Sequence, residues 1–378
     1  MHQLKNSILN SFKELGVHKD FVTALEGLNI NKPTEIQNLT IPLLLANKTD
    51  LIGQAQTGTG KTAAFGLPLL QSVDVSRKEI QAIVLCPTRE LGQQIAKQLF
   101  RFTKFSDKIF TEAVYGGEKI DRQISALRRP THIVVATPGR LIDLLKRKAL
   151  NLSKVQTVVL DEADEMLSMG FKKELDQILE FVPQDANKWL FSATMPHGIQ
   201  EMIKEHLSAD APTVETSGKS RVNENIEHKY FVCDDEEKLH TLLQFLKSQH
   251  KNRGIIFCRT KKETQNLSKQ LIAKNILTDA IHGDLYQKER DKVMRAFKKE
   301  NLQLIVATDI AARGLDISDL AYVVHYQLPE SEEYYTHRSG RTARAGKVGL
   351  SMALVNTYER KKLLTYEQSL NISFERVR

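Results

Sequence analysis

Short apolar, β-branched runs recur along this chain, each followed by turn residues and then a helical pattern. This alternation constrains the fold more than any other feature. The first half holds Asp50-Leu51-Ile52-Gly53, Ala82-Ile83-Val84-Leu85, Ile133-Val134-Val135-Ala136, Thr157-Val158-Val159-Leu160 and Trp189-Leu190-Phe191. The second half repeats the scheme with Gly254-Ile255-Ile256-Phe257, Ala280-Ile281, Leu304-Ile305-Val306-Ala307 and Tyr322-Val323-Val324, and closes on Leu350-Ser351-Met352-Ala353-Leu354-Val355. Apolar runs bounded this way read as strands buried on both faces of a parallel sheet, with crossover helices between them. Between the halves, Ala209-Asp210-Ala211-Pro212 and Thr216-Ser217-Gly218-Lys219-Ser220 form a polar stretch without periodicity, the best linker in the chain. The 378 residues suffice for two cores at about 150 per domain. The class is therefore α/β: two tandem parallel-sheet domains, 1–208 and 223–378, joined by a flexible linker at 209–222.

Composition narrows the setting. A 41% hydrophobic, 26% charged chain is an ordinary globular one. No apolar run approaches the roughly 18 residues of a membrane helix, and the polar start Met1-His2-Gln3-Leu4-Lys5-Asn6 lacks the apolar core of a signal peptide. No membrane partner is expected. The three cysteines, Cys86, Cys233 and Cys258, lie far apart without metal-ligand spacing, and Cys86 and Cys258 fall in apolar runs. Free buried thiols in a reducing, cytoplasmic setting follow. A net charge of +8 suits a polyanionic partner and equally suits a solvated basic surface.

Ligands of open α/β sheets bind beyond the carboxyl ends of the strands. Polar clusters stand at just those places here: Gln54-Ala55-Gln56, Pro87-Thr88-Arg89, Thr137-Pro138-Gly139-Arg140, Asp161-Glu162, Ser192-Ala193-Thr194 and Thr308-Asp309. Six such clusters argue for a shared working edge.

The most specific is Ala55-Gln56-Thr57-Gly58-Thr59-Gly60-Lys61-Thr62, set between a strand and an apolar helix. It departs from the usual phosphate-loop pattern only at Ala55, where a glycine is common. Glycines let backbone N–H groups curl around phosphate, the helix N-terminus adds positive potential, and Lys61 reaches the β/γ oxygens. Thr62 offers a hydroxyl to Mg²⁺. The apolar strand ending at Asp161-Glu162-Ala163-Asp164 supplies the complementary half. Asp161 is the expected Mg²⁺ partner, and Glu162 the residue that orients and deprotonates the attacking water. Alone, two acids opening a helix would read as a complement to its dipole; with Lys61-Thr62 they read as a nucleotide hydrolase.

Asp161-Glu162-Ala163-Asp164 spells the signature of the DEAD-box RNA helicases, and the remaining motifs resemble that family in order, from Phe12 to about Val355. The resemblance implies two RecA-like domains. Pro33-Thr34-Glu35-Ile36-Gln37 is similar to the Q motif, with Phe12 25 residues ahead of Gln37. It implies that Gln37 reads the adenine edge, which a side-chain amide can do by donating and accepting at once, and that Phe12 stacks on the base. With Gln56, Thr57, Gly58, Thr59 and Gly60 they complete the nucleotide contacts.

Tyr335-Thr336-His337-Arg338-Ser339-Gly340-Arg341-Thr342-Ala343-Arg344 resembles motif VI, which makes Arg341 and Arg344 arginine fingers, a device worth about 10³–10⁵ in rate. Ser339 and Ala343 stand where Ile and Gly are common; both are small. Thr308 through Asp316 resembles motif V, implying that Asp316 contacts the ribose and Thr308 the RNA. Ser192 and Thr194, with Asp164 and His337, are the implied coupling of hydrolysis to strand separation.

Pro87, Thr88, Arg89, Gly117, Thr137, Gly139 and Arg140 in the first domain, and Gly283, Gln287 and Arg290 in the second, line up with the family's RNA-binding motifs. Small hydroxyls, exposed backbone N–H groups and arginines suit phosphate and sugar oxygens rather than base edges, so binding should be sequence-independent and salt-sensitive. Backbone and 2′-OH recognition favours RNA over DNA. The expected protein is a monomer that uses ATP and Mg²⁺ to separate short RNA duplexes locally. The competing reading is an ATP-dependent RNA clamp or RNP-assembly scaffold with little unwinding. A P-loop kinase would not need Arg341 and Arg344, and a DNA helicase is separable by competition.

Overall fold

The computed structural model describes residues 11–56, 58–216, 223–312, 315, 317, 320–343 and 348–377. The chain divides into two compact units, Met1–Ser217 and Gly218–Arg378. Unit 1 contributes strands β1 (Leu51–Gln54), β2 (Ala82–Leu85), β3 (Thr111–Val114), β4 (Ile133–Ala136), β5 (Thr157–Asp161), β6 (Asn187–Ser192) and β7 (Thr213–Glu215). They form one parallel sheet in the order β3-β4-β2-β5-β6-β1-β7. Unit 2 contributes β8 (Ile226–Val232), β9 (Gly254–Cys258), β10 (Thr278–Ile281), β11 (Leu304–Thr308), β12 (Tyr322–His325), β13 (Gly349–Val355) and β14 (Phe374–Arg376). Its sheet, in the order β10-β11-β9-β12-β13-β8-β14, is parallel as well.

Burial on both faces explains the apolar runs. Along β2, Ala82 and Val84 enter one core cluster while Ile83 and Leu85 enter the other. In β9, Ile256 and Cys258 face one layer and Ile255 and Phe257 the opposite one. Side chains alternate across a strand, so a strand between two helical layers must be apolar at every position. All three thiols are buried and free, as expected for Cys86 and Cys258. Among the described residues, no helix is long and apolar enough to cross a membrane.

The strands absent from the sequence reading are β3, β7, β8 and β14. They lie at or next to sheet edges and lack a continuous apolar run: β8 alternates buried and open positions, and β7 and β14 span three residues each. β7 also corrects the linker. Residues 209–222 are expected there, yet Thr213–Glu215 pairs with Ile52–Gln54, and Thr216 N–H donates to Gln54 O at 3.2 Å. A sheet edge leaves a row of unpaired N–H and C=O groups that a passing segment satisfies. Residues 209–216 are thus part of unit 1; the remainder of the expected linker, 217–222, lies outside the described residues.

Candidate functional site

In unit 1 the working edge is assembled by strand order. β1, β6 and β5 are neighbours, so the turn after β1, Ser192 at the end of β6 and Asp161 at the end of β5 come together. Gly58 (φ 91°) and Gly60 (φ 93°) occupy the left-handed region, which glycine enters without steric cost. That bends the turn into a loop leading into the helix Lys61–Gln71. Lys61 is buried, and its Nζ donates to Ala55 O at 2.9 Å, holding the ammonium inside the curl. Thr59 Oγ1 donates to Gln56 O, closing the loop on itself. Thr62 begins the helix half-exposed. Thr57 lies outside the described residues.

Gln37 does not stand apart as an adenine reader. It is 3% exposed; its Oε1 accepts from Thr34 N–H at 2.9 Å and its Nε2 donates to Gly60 O at 3.0 Å. The amide therefore caps the helix Glu35–Ala46 and tethers it to the phosphate loop. Phe12, expected to stack on a base, is 2% exposed and joins the core cluster of Leu15, Val17 and Phe21. A buried apolar ring gains more from core contact than from exposure, so in this structure Phe12 is a packing residue.

Asp161 closes β5 at 3% exposure, and Glu162 follows at φ 53°, ψ 52°. A left-handed non-glycine residue at a strand end is strained, and such strain concentrates at functional sites. Burial pushes the Asp161 carboxyl up to about 7, with Glu162 and Asp164 adding to the rise and the Lys61 ammonium opposing it. A buried carboxyl destabilised in its charged form is one that a hard divalent cation would stabilise.

Asp164 is fully engaged. Its Oδ2 accepts from Thr194 N–H at 2.9 Å and Thr194 Oγ1 at 2.8 Å, and its Oδ1 from Glu165 N–H at 3.0 Å. Ser192 Oγ accepts from Asp164 N–H at 3.3 Å, and Ser192 O accepts from Ala55 N–H at 3.0 Å. Ser192 thus bridges the phosphate loop and the acidic motif, and Ser192, Thr194 and Asp164, the residues expected to couple hydrolysis to strand separation, form one hydrogen-bonded cluster.

The expected RNA-binding residues of unit 1 form a second cluster, built on residues the sequence does not single out. Thr88 caps the helix Arg89–Phe102 by accepting from Leu91 N–H at 3.3 Å. The Arg89 guanidinium lies 4.6 Å from the ring centre of Tyr115, whose hydroxyl accepts from Gln93 at 2.7 Å. Gln123 donates to Tyr115 O at 3.0 Å and accepts from Arg140 at 2.9 Å. Tyr115 and Gln123 therefore link Pro87-Thr88-Arg89 and Gly116-Gly117 to Thr137-Pro138-Gly139-Arg140. Tyr115 directly precedes the two glycines, a clue of position; Gln123 carries no local signal. A cavity of about 630 Å³ opens beside this lattice, lined by Gly116, Thr137, Gly139 and Arg140 among others, with Lys146 and Lys173 and the acids Asp143 and Glu174 in its wall.

In unit 2, Thr308 ends β11 and Asp309 follows it. Arg338, 2% exposed, donates to both Asp309 carboxylate oxygens at 2.5 and 2.7 Å and to Gln327 O at 2.8 Å. This arginine of the basic cluster is an internal strut joining the Thr308 segment to the helix Glu332–Ser339. Behind it runs a buried polar chain. His325 Nδ1 faces Arg338 at 3.4 Å and its Nε2 faces Ser351 Oγ at 3.0 Å; Ser351 contacts Ser339 and Tyr335, and Tyr335 meets His228 at 2.6 Å. Burial pushes His325 well below its usual range, with Arg338 and His228 adding to the effect, and burial holds His228 at about 4.

Ser339, in a place where Ile is common, supplies a hydroxyl to this chain. Ala343 has φ 56°; the common glycine is explained by conformation, not by size alone. Arg341 donates to Leu315 O at 3.1 Å, Arg290 to Ala311 O at 2.9 Å and Gln287 to Asp291 at 2.9 Å. Gly283 is exposed and His337 half-exposed. Arg344 and Asp316 lie outside the described residues.

Comparison with known proteins agrees with this geometry. Residues 34–202 match the DEAD/DEAH box helicase family and residues 237–346 the helicase conserved C-terminal domain. The chain is 42% identical to the DEAD-box ATP-dependent RNA helicase CshA of Bacillus cereus over 98% of its own length and 70% of that protein. It is 40% identical to CshA of Bacillus subtilis over 97% and 74%. Among solved structures, Saccharomyces cerevisiae Dbp5 bound to RNA and ADP BeF3 matches with a TM-score of 0.89 at 31% identity, covering 98% of this chain and 96% of Dbp5. Mss116 bound to single-stranded RNA and UDP-BeF matches with a TM-score of 0.88 at 28% identity, covering 97% and 79%. The chain belongs to the DEAD-box helicase family, and its two parallel-sheet units are RecA-like.

Proposed function

We propose that this DEAD-box protein is an ATP-dependent RNA helicase that grips the RNA backbone and separates short duplexes locally. The observation that carries the reading is the Ser192 bridge. One residue holds the ATP loop through Ala55 and the acidic motif through Asp164, so a change at the γ-phosphate is transmitted into the segment Ser192–Thr194. The RNA- and nucleotide-bound relatives support it.

In this reading Lys61 and the backbone N–H groups of 58–62 cradle the phosphates. Thr62 and Asp161 would hold Mg²⁺, a fit supported by an all-oxygen donor set and by the burial of Asp161. When bound, that ion would neutralise charge on the β- and γ-oxygens. Glu162 orients the attacking water and takes its proton. Arg341 and Arg344 complete the site when ATP and RNA favour closure about the linker expected near 216–220. Ligands that each prefer the closed state bind cooperatively. Thr88, Arg89, Gly117, Thr137, Gly139 and Arg140 position phosphates and 2′-hydroxyls, with Gly283, Gln287, Arg290 and Thr308 from the second domain. Free buried thiols fit a cytoplasmic setting.

The test is ATP turnover with and without single-stranded RNA. Stimulation is expected, and an active enzyme indifferent to RNA would refute the closure model. Displacement of a strand from a short duplex separates a helicase from an ATP-dependent RNA clamp, and competition by equal DNA tests the RNA preference.

A further inference from the structure

At the end of the helix Arg89–Phe102 remote from the working edge, unit 1 carries an aromatic and basic patch that none of the helicase motifs uses. Phe100, Phe105 and Phe110 are 73%, 49% and 46% exposed. The helix Arg89–Phe102 already buries Gly92, Ile95, Leu99 and Phe102, so Phe100 points away from the core. A cavity of about 800 Å³ lies beside Phe100 and Phe110, lined also by Arg101, Lys104 and Lys108 among others, with no acid in its wall. Asp107 is the one acid of the Lys104–Lys108 turn. The Lys104 ammonium lies 5.0 Å from the ring centre of Phe105, an arrangement that keeps a cation against a half-exposed ring.

The patch is continuous with the RNA-binding cluster. At 3.6 residues per turn, Arg89, Gln93, Lys97 and Phe100 fall within an arc of about 80° on one helix. Arg89 and Gln93 both touch Tyr115, while Lys97 is exposed further along. The stripe runs about 17 Å from Arg89 to Phe100 at 1.5 Å per residue. It ends among rings set between Arg101, Lys104 and Lys108.

We propose that this stripe and patch form an accessory single-stranded RNA site, in which RNA leaving the Arg89 end of the track stacks bases on Phe100 and Phe105 and places phosphates on Lys97, Arg101, Lys104 and Lys108. Exposed rings interleaved with cations are the usual means of holding single strands without sequence preference. An apolar partner would need the rings but not the cations; a folded acidic partner would need no continuity with Arg89. The proposal rests on the RNA reading above and extends its footprint.

The test compares the full chain and two variants, Phe100→Ala and Lys104→Glu, on oligouridylates of about six and about twelve nucleotides, lengths within the range of single-strand sites. Both variants are expected to bind the longer RNA about tenfold more weakly and the shorter one within twofold of the native chain, with Phe100→Trp restoring the longer RNA's affinity. Bromouridine placed near one end of the longer RNA should crosslink to 97–110. Native affinity of both variants for the longer RNA would overturn the proposal. So would competition by poly-glutamate as strong as by poly-uridylate, which would assign the patch to an acidic polypeptide. If the native chain binds neither RNA, the RNA reading itself falls; if it binds both alike and the variants match it, only the accessory site does.

Discussion

Asp161 in unit 1 and Asp309 in unit 2 both lie at the carboxyl end of a parallel strand, where such folds bind their ligands. They are treated in opposite ways. Asp161 is buried beside Glu162 and Asp164 with its carboxyl pushed up, a placement that favours the arrival of a cation. Asp309 already has one, the bidentate guanidinium of Arg338. Among the described residues, the same residue type at the same kind of position is left unneutralised by any bidentate guanidinium in one domain and held in an ion pair in the other. The arginines of unit 2 divide likewise: Arg338 is interior, while Arg341 is half-exposed and donates to the Leu315 carbonyl.

That contrast can be broken experimentally. Arg341→Ala should lower RNA-stimulated phosphate release by about 10³–10⁵, the range for an arginine finger, while leaving denaturant unfolding of unit 2 nearly unmoved. Arg338→Ala should do its main damage to stability. Removing one partner of a buried ion pair costs about 3–5 kcal/mol, visible as an earlier unfolding transition of unit 2. If Arg338→Ala folds as well as the native chain and loses only turnover, Arg338 is not the strut described here.

Acid gives a sharper test. His228 and His325 are held neutral by burial, so the unfolded chain, with histidines near 6.5, binds protons that the native unit 2 refuses. Their contribution is intact above about pH 6.5 and declines as pH falls towards 4. Each should add a slope of about 1.4 kcal/mol per pH unit within that window. Unfolding of unit 2 followed across it should take up close to two protons, and a flat profile would show that both histidines accept protons in the native unit as readily as in the unfolded chain.

The smallest expected effect is at Ala343. An L-residue in the left-handed region costs about 1–2 kcal/mol, partly offset by the flexibility glycine brings to the unfolded chain. Ala343→Gly should therefore stabilise unit 2 by about 0.5–1 kcal/mol in urea unfolding; destabilisation would show that the methyl group's buried contacts outweigh the strain.

Much of the fold was legible because central parallel strands announce themselves. Ala82–Leu85 and Ile133–Ala136 are apolar at every position, and both match the expected limits. Edge strands such as Thr111–Val114 and Thr213–Glu215 were not, because their residues are only half covered and their stability comes from a neighbour's backbone. The phosphate loop and Asp161-Glu162 were legible for a different reason: phosphate and metal chemistry needs particular residue types in unbroken order along the chain.

The sequence by itself therefore determined the class of fold, the nucleotide chemistry and the family. Tertiary structure alone decided which polar residues remain available for a ligand and which are already engaged. Gln37 ties a helix to the phosphate loop, Phe12 fills a core, Gln123 joins Tyr115 to Arg140, and Arg338 neutralises Asp309. These pairings join residues up to 29 positions apart in the chain. Local spacing cannot encode them, because a buried polar group must be satisfied by whatever the packed elements bring to it.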